Sequence, residues 1–260
     1  MNFQIYMEGL YAILLFGLTG WIASLYRHNV THVDSMWSLF FVVAGITYAS
    51  QAEALSTRAI IMLSLLLLWA LRLCTYLTWR NWGPHEDHRY AEIRRNNSPN
   101  FAFKSIYIVF GFQALLAWII SLPILGATSS ATSINTLDIV GIAVVLFGLA
   151  FEITADWQLR IFKRAPANKD KVLRSGLWRY SRHPNYFGEC MVWWGLYLVA
   201  LAGGAWWAIP SAVLMTLLLL KVSGVALLEK DIAERRPEYI DYIRSTNAFI
   251  PGNPRETKQL

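Results

Sequence analysis

Gly176-Leu177-Trp178-Arg179-Tyr180-Ser181-Arg182-His183-Pro184-Asn185-Tyr186-Phe187-Gly188-Glu189 runs without a break into the apolar stretch Cys190–Ala202. Two arginines, a histidine, an asparagine and a glutamate therefore stand at the mouth of a hydrophobic segment. Polar groups are costly in hydrocarbon, and those that persist there are paired or functional. So dense a cluster at such a boundary points to the binding of something anionic.

The rest of the chain shows what kind of boundary this is. Of its 260 residues 55% are hydrophobic and only 15% are charged, where an ordinary soluble domain carries about 25% charged residues. The apolar residues fall into seven blocks: Met7–Tyr26, Asp34–Ala49, Ala59–Trp79, Ser105–Gly126, Leu137–Ala155, Tyr186–Ala202 and Trp206–Leu228. Each approaches the roughly 20 residues of a spanning helix, the second and sixth being the shortest. Only helices and closed barrels satisfy their backbone in lipid, and no sustained alternation of period two is present. The pattern predicts an all-α polytopic bundle of about seven transmembrane helices forming one membrane domain over residues 1–260. Pro123 is expected to kink or end the fourth span, and Pro184 to stand in the first turn of the sixth or in the loop just before it.

Charge sets the orientation. The net charge is +6, which in a soluble protein would raise nucleic acid as a partner; here the distribution argues for membrane topology instead. Of the 23 Lys and Arg, Arg58 lies on one side and Arg72 and Lys221 fall inside spans, leaving twenty on the other side. By the positive-inside rule the N-terminus faces out and the C-terminus faces the cytosol. Met1–Gly9 lacks the basic start of a cleaved signal. Cys74 and Cys190 sit inside apolar runs as small core residues. His85 and His88 are spaced three apart with no further histidine cluster to complete a shell, so no metal is expected.

Three polar elements flank the spans. Glu152, Asp156, Arg160 and Lys163 or Arg164 recur every four residues and share one helix face. They read either as a salt-bridged helix end or as the wall of a polar pocket. Asn185 and Glu189 lie one turn apart, with Trp193 on the same face. Arg179 and Arg182 have the fork geometry for phosphate, although topology alone would also place basic residues there. In the tail, Lys221, Val225 and Glu229 share a face, followed by Arg235, Arg236, Tyr239, Tyr242 and Arg244. In the first half, Asp34 and Arg72 are candidates for an intramembrane pair. His85-Glu86-Asp87-His88-Arg89-Tyr90 gathers titratable groups at a membrane exit, with Tyr90 and Glu86 the best chemical types for moving a proton.

With these residues in place, the Gly176–Glu189 stretch resembles the C-terminal signature of steroid 5α-reductase-type membrane proteins, a superfamily shared with isoprenylcysteine carboxyl methyltransferases. Tyr242, Ala248, Phe249, Ile250 and Pro251 resemble that family's ending, and the Asp156–Arg160 segment resembles its cofactor helix. The likeness covers about residues 137–254 as a cofactor-binding C-terminal half. Asp34-Ser-Met-Trp37 and Glu86–Tyr90 look more like the bacterial branch, which implies a bacterial inner membrane.

The resemblance implies NADPH as cofactor and reduction of a carbon–carbon double bond conjugated to a carbonyl in a lipid-like, steroid-like or other substrate. It implies Asp156, Arg160, Asn185, Glu189 and Tyr242 as cofactor contacts, with Arg179, Tyr180, Arg182 and Arg244 as further ones. The family's adjacent Gln-Glu pair is not matched, since the chain has Gln51-Ala52-Glu53, which puts steroid specificity in doubt. Tyr90, Glu86 and Asp87 are the expected replacements at the catalytic position.

The Arg-His-Pro-x-Tyr-x-Gly signature is also found in methyltransferases that bind S-adenosylmethionine, so it does not by itself separate hydride from methyl transfer. Asn185 with Glu189 and the Phe249-Ile250-Pro251 ending favour the reductase, and Glu229-Lys230 stands where the methyltransferases show paired glutamates. A non-enzymatic lipid-binding or transport protein is the third possibility, opposed by polar residues crowded on one side and no inverted repeat.

Overall fold

The computed structural model describes residues 1–83, 85–169, 171–222, Val225, Glu229 and 236–255. Ten helices carry the account: α1 Phe3–Arg27, α2 Val33–Ser50, α3 Thr57–Arg80, α4 His88–Asn96, α5 Phe101–Ile120, α6 Leu122–Thr128, α7 Thr136–Arg164, α8 Pro184–Ala202, α9 Ile209–Leu217 and α10 Tyr239–Ser245. No strand occurs among the described residues, and the chain is an integral membrane protein built as a polytopic helical bundle.

Local chemistry sets the helix ends. The Asn2 side chain accepts from the backbone N–H groups of Gln4 and Ile5 at the start of α1, and Ser56 accepts from Ala59 at the start of α3. Such caps satisfy N–H groups that have no partner within the helix. Pro123 sits in the first turn of α6, so the fourth apolar block ends as an α-helix at Ile120 and restarts after Ser121. Pro184 opens α8. Within α5, Ile106–Gly111 forms a π-helical turn, and a second one, Leu218–Val222, continues α9.

Among the described residues five helices are long and apolar enough to cross a membrane: α1, α2, α3, α5 and α7. The sixth expected block, and the seventh over its described residues, are helical but fall short by this measure. α8 is 19 residues long, but its polar start and its Trp, Tyr and Gly content make it less apolar than those five. Trp206–Lys221 is a shorter apolar helix, and Leu228, the expected end of that block, lies outside the described residues.

The chain separates into two compact units, residues 1–139 with 196–211, and residues 140–195 with 212–260. In the first, α1 packs on α2 and α2 on α3, around buried Phe40, Phe41, Met62, Leu66 and Trp69. Several buried polar groups inside this unit are paired across it. The Tyr6 hydroxyl donates to the Trp118 carbonyl, the Trp118 indole donates back to the Tyr6 carbonyl, and the two rings stack at 4.2 Å.

The fullest example is Arg58, which the sequence left as a lone cation on the outer side. Its side chain and that of Asp138 are both fully buried. Arg58 donates Nε and Nη2 to the two Asp138 oxygens, each at 2.8 Å. The remaining donors go to Ser130 Oγ, Thr132 Oγ1 and the carbonyls of Thr132 and Ser133. The small-polar connection between α6 and α7 is thus wrapped around one guanidinium.

Candidate functional site

In the second unit, glycines bring α7 and α8 to backbone contact. A Cβ added to Gly188 would lie 2.6 Å from the Glu152 nitrogen and 2.7 Å from the Gly148 carbonyl oxygen. One added to Gly148 would lie 2.6 Å from the Gly188 carbonyl oxygen, and one added to Gly195 2.7 Å from the Val145 nitrogen. Small residues are what allow such an approach between membrane helices. The consequence is chemical. Glu152 and Asp156 on α7, and Glu189 on α8, are buried, with Asn185 half-buried. Asn185 Nδ2 donates to Asp156 Oδ1 at 3.2 Å. α7 continues to Arg164, so Glu152, Asp156 and Arg160 do lie on one continuous helix.

The loop before α8 docks on the same helix. Gly176 takes a left-handed φ of 61°, which favours glycine because it has no Cβ to clash. It lies against Gln158, whose side-chain oxygen accepts from the Leu177 N–H, while the Trp178 indole donates to the Ala155 carbonyl. The tail then folds back onto the loop. Arg182 N–H donates to the Asn247 carbonyl, Ser181 Oγ to the Phe249 carbonyl and Gly252 N–H to the Tyr180 carbonyl. Rings of Phe147, Phe151, Phe187 and Phe249 form a ladder beside these bonds.

Arg182 is spent within the protein. Its Nε and Nη2 bind both oxygens of Glu229 at 2.7 and 2.8 Å, and Nη1 donates to the carbonyls of Ile243 and Thr246. The phosphate-clamp expectation therefore gives way, for Arg182, to a positioning role. His183 Nε2 meets Glu229 Oε1 at 2.8 Å, and the Tyr239 hydroxyl donates to the same oxygen at 3.3 Å. Against an ionised Glu229, Nε2 must be the protonated nitrogen. Tyr242 is likewise internal, its hydroxyl donating to the Trp178 and Ser181 carbonyls. Arg179, Tyr180 and Arg244 are exposed. Arg235 and Lys230 lie outside the described residues.

Glu229 carries a pH prediction. Burial pushes its carboxyl up, but hydrogen bonds from His183 and Arg182 and the Arg182 charge outweigh that and hold it at about 2. A carboxyl lower in the folded than the unfolded state stabilises above its unfolded value, 4.5, and that contribution is lost as pH falls from there toward about 2. Glu229→Gln is expected to lower stability at neutral pH by about 2 kcal/mol, below the roughly 3–5 kcal/mol of a fully buried pair because the site is partly open to water. Thermal melts of wild type and variant should converge as pH drops through this window; a gap that persists unchanged below it would contradict the assignment.

In the first unit, Tyr90 is the buried centre of a second polar cluster. Its hydroxyl donates to Asp34 Oδ1 at 2.6 Å and accepts from Gln113 Nε2 at 3.2 Å. Arg89 Nη2 reaches the other Asp34 oxygen at 2.7 Å. Burial, then the Asp34 charge and hydrogen bond, push the Tyr90 hydroxyl well above its ordinary value. Glu86 and Asp87 surround this pair differently. Glu86 accepts from Arg94 and from the Val30 N–H; Asp87 caps α4 and binds Arg89. Burial opposes their ionisation, yet the arginine hydrogen bonds and charges prevail and hold both carboxyls low. As ion-paired carboxylates they have no proton to give at neutral pH.

Nothing in the local sequence marks Asp34 as Tyr90's partner, since it lies 56 positions away in the chain. It was expected to pair with Arg72; its shortest bonds are to Arg89 and Tyr90, while Arg72 lies over the Tyr76 ring at 5.2 Å. Gln51 and Glu53 are exposed in the connection after α2.

Residues 20–246 match the model of a family described as "Protein of unknown function (DUF1295)". The chain belongs to the DUF1295 family. A family relative, an uncharacterised protein of the yeast Schizosaccharomyces pombe, is 26% identical over 96% of this chain and 80% of its own length. It lends no support to the bacterial inner membrane as the location. No solved structure matches.

Proposed function

We propose that this DUF1295 protein is an NADPH-dependent membrane reductase that saturates a carbon–carbon double bond conjugated to a carbonyl in a lipid-like substrate, with its C-terminal face toward the cytosol. The observation that carries the reading is the Asp156–Asn185 pair, set in a glycine-packed helix pair with buried Glu152 and Glu189. A carboxamide and carboxylates suit the hydroxyl and amide groups of a dinucleotide, and exposed Arg179 and Arg244 suit its phosphates. The donor set therefore fits the cofactor. Support over methyl transfer comes from the tail, since Phe249 is tied directly to Ser181 of the signature and Glu229 is engaged by Arg182 and His183.

When bound, NADPH supplies a hydride for the β-carbon of the double bond. Asp156 and Asn185 hold and orient the cofactor. The close helix contact excludes water around buried Glu152 and Glu189. Tyr90 of the first unit, kept protonated, gives its single O–H to Asp34; to serve a substrate carbonyl, where a donor lowers the barrier, it must exchange that bond for one to the substrate. Asp34, not Glu86 or Asp87, is the carboxylate that positions Tyr90.

The test is thermal melting of the purified full chain with NADPH, NADH or S-adenosylmethionine. NADPH at about a hundred times its Kd should add about 2.7 kcal/mol of apparent stability, and Asn185→Ala or Asp156→Ala should remove most of that gain. Stabilisation by S-adenosylmethionine and not by NADPH would overturn the reading in favour of methyl transfer.

A further inference from the structure

An apolar slot of about 250 Å³ opens between α1 and α5, lined by Leu14, Gly17, Leu18, Ile106, Phe110 and Ala114 together with Gly111. Its floor is buried Gly17, Phe110 and Ala114, and its rim is exposed Leu14, Leu18 and Ile106. Two features make the slot. Gly17 contributes no side chain to the floor. The π-helical turn Ile106–Gly111 interrupts the α-helical packing of α5 at that level, a local device found often at functional sites. At Gly111 a Cβ would come within 2.9 Å of the Ile106 carbonyl oxygen, so this turn keeps a glycine.

We propose that this slot binds one unbranched hydrocarbon chain, making the substrate a single-chain alkyl lipid and not a fused-ring steroid. The size argument is direct. An enclosed cavity of about 150 Å³ holds benzene with its six carbons; this slot is open along its exposed rim, so a flexible chain of about ten carbons lies within it, whereas a rigid steroid nucleus of roughly seventeen leaves much of its block outside. Every lining residue is apolar, and Leu14 and Leu18 lie midway along α1, at the depth where lipid tails run. The slot shares helix α5 with the polar cluster of this unit. Phe110 packs against the His32 ring at 5.6 Å, and Gln113, next to Ala114 in the chain, donates to the Tyr90 hydroxyl. The proposal rests on the reductase reading for the head group of that lipid, not for its tail.

Tail binding is read without turnover by photo-crosslinking. The full chain in lipid nanodiscs is labelled with two probes that carry a diazirine near the end of a ten-carbon chain, one an alkyl enone and the other a phosphatidylcholine. Labelled residues are mapped by peptide mass spectrometry. The enone probe should label Leu14, Leu18 or Ile106 and be competed by unlabelled straight-chain enone but not by a steroid enone. Gly17→Leu, which fills the floor, should cut this labelling at least tenfold. Gly17→Ala adds a Cβ at ordinary contact distances of 3.6–3.8 Å, keeps the fold and should cut it partially. Equal, non-competable labelling by both probes would show bulk lipid filling the slot and overturn the proposal, as would competition by the steroid or unchanged labelling in Gly17→Leu. Competable labelling in a protein that never consumes NADPH would leave the tail site standing and defeat the reductase reading.

Discussion

Replacing Gly188 with leucine is expected to abolish the packed form of the second unit. The new Cβ would fall within 3 Å of the Glu152 nitrogen and the Gly148 carbonyl oxygen, both backbone atoms that cannot swing aside as a side chain would. Overpacking a core usually costs about 1–3 kcal/mol when side chains absorb it. Here only separation of α7 and α8 relieves the clash, so the cost should exceed that range. Separation would also pull Asn185 away from Asp156, and the NADPH-induced shift should vanish together with the cooperative melt. Gly17→Ala is the control, because its Cβ meets nothing closer than 3.6 Å, and its melt should match wild type. If Gly188→Leu melts and binds NADPH as wild type does, the helix pair does not make the contact described.

Removing the charge of Arg58 should cost about 3–5 kcal/mol, as expected when one member of a fully buried pair is left alone. Arg58→Met leaves Asp138 buried with its two shortest partners gone and frees Ser130 and Thr132 from the guanidinium. The double variant Arg58→Met/Asp138→Leu should recover much of the loss, because replacing both partners of a buried pair by apolar groups is often close to neutral. The recovery should be incomplete, since Asp138 also accepts from the Asn135 N–H at the start of α7. Melting of both variants in the same detergent checks the order; a single variant as stable as wild type would mean the pair is not buried.

Most helices could be read directly from the chain, because a run of apolar residues near the length of a bilayer has few other uses. The polar face of α7 was legible for a related reason, as residues four apart share a side. α4 was not, since its nine residues are charged and short, and only the Asp87 cap marks its start. The glycine seam leaves a signal of its own: Gly141 and Gly148 are seven apart, as are Gly188 and Gly195, the spacing of one face over two helical turns. Long-range pairs left none. Arg182 reads as a phosphate ligand until Glu229, 47 positions on, is seen to take it. Asp34 reads as a partner for Arg72 until α4 brings Arg89 and Tyr90 to it. Topology places cations on one side of a membrane but does not say which of them are already paired.

The central claim, hydride transfer from NADPH to an activated double bond, is tested most directly by isotope. The full chain in nanodiscs is given a straight-chain enone and NADPH carrying deuterium at the transferable position, and the recovered lipid is analysed by mass spectrometry. The account predicts a saturated product with one deuterium, at the β-carbon. An enone recovered unreduced and unlabelled, while the same preparation transfers a methyl group from S-adenosylmethionine to a lipid, would contradict it.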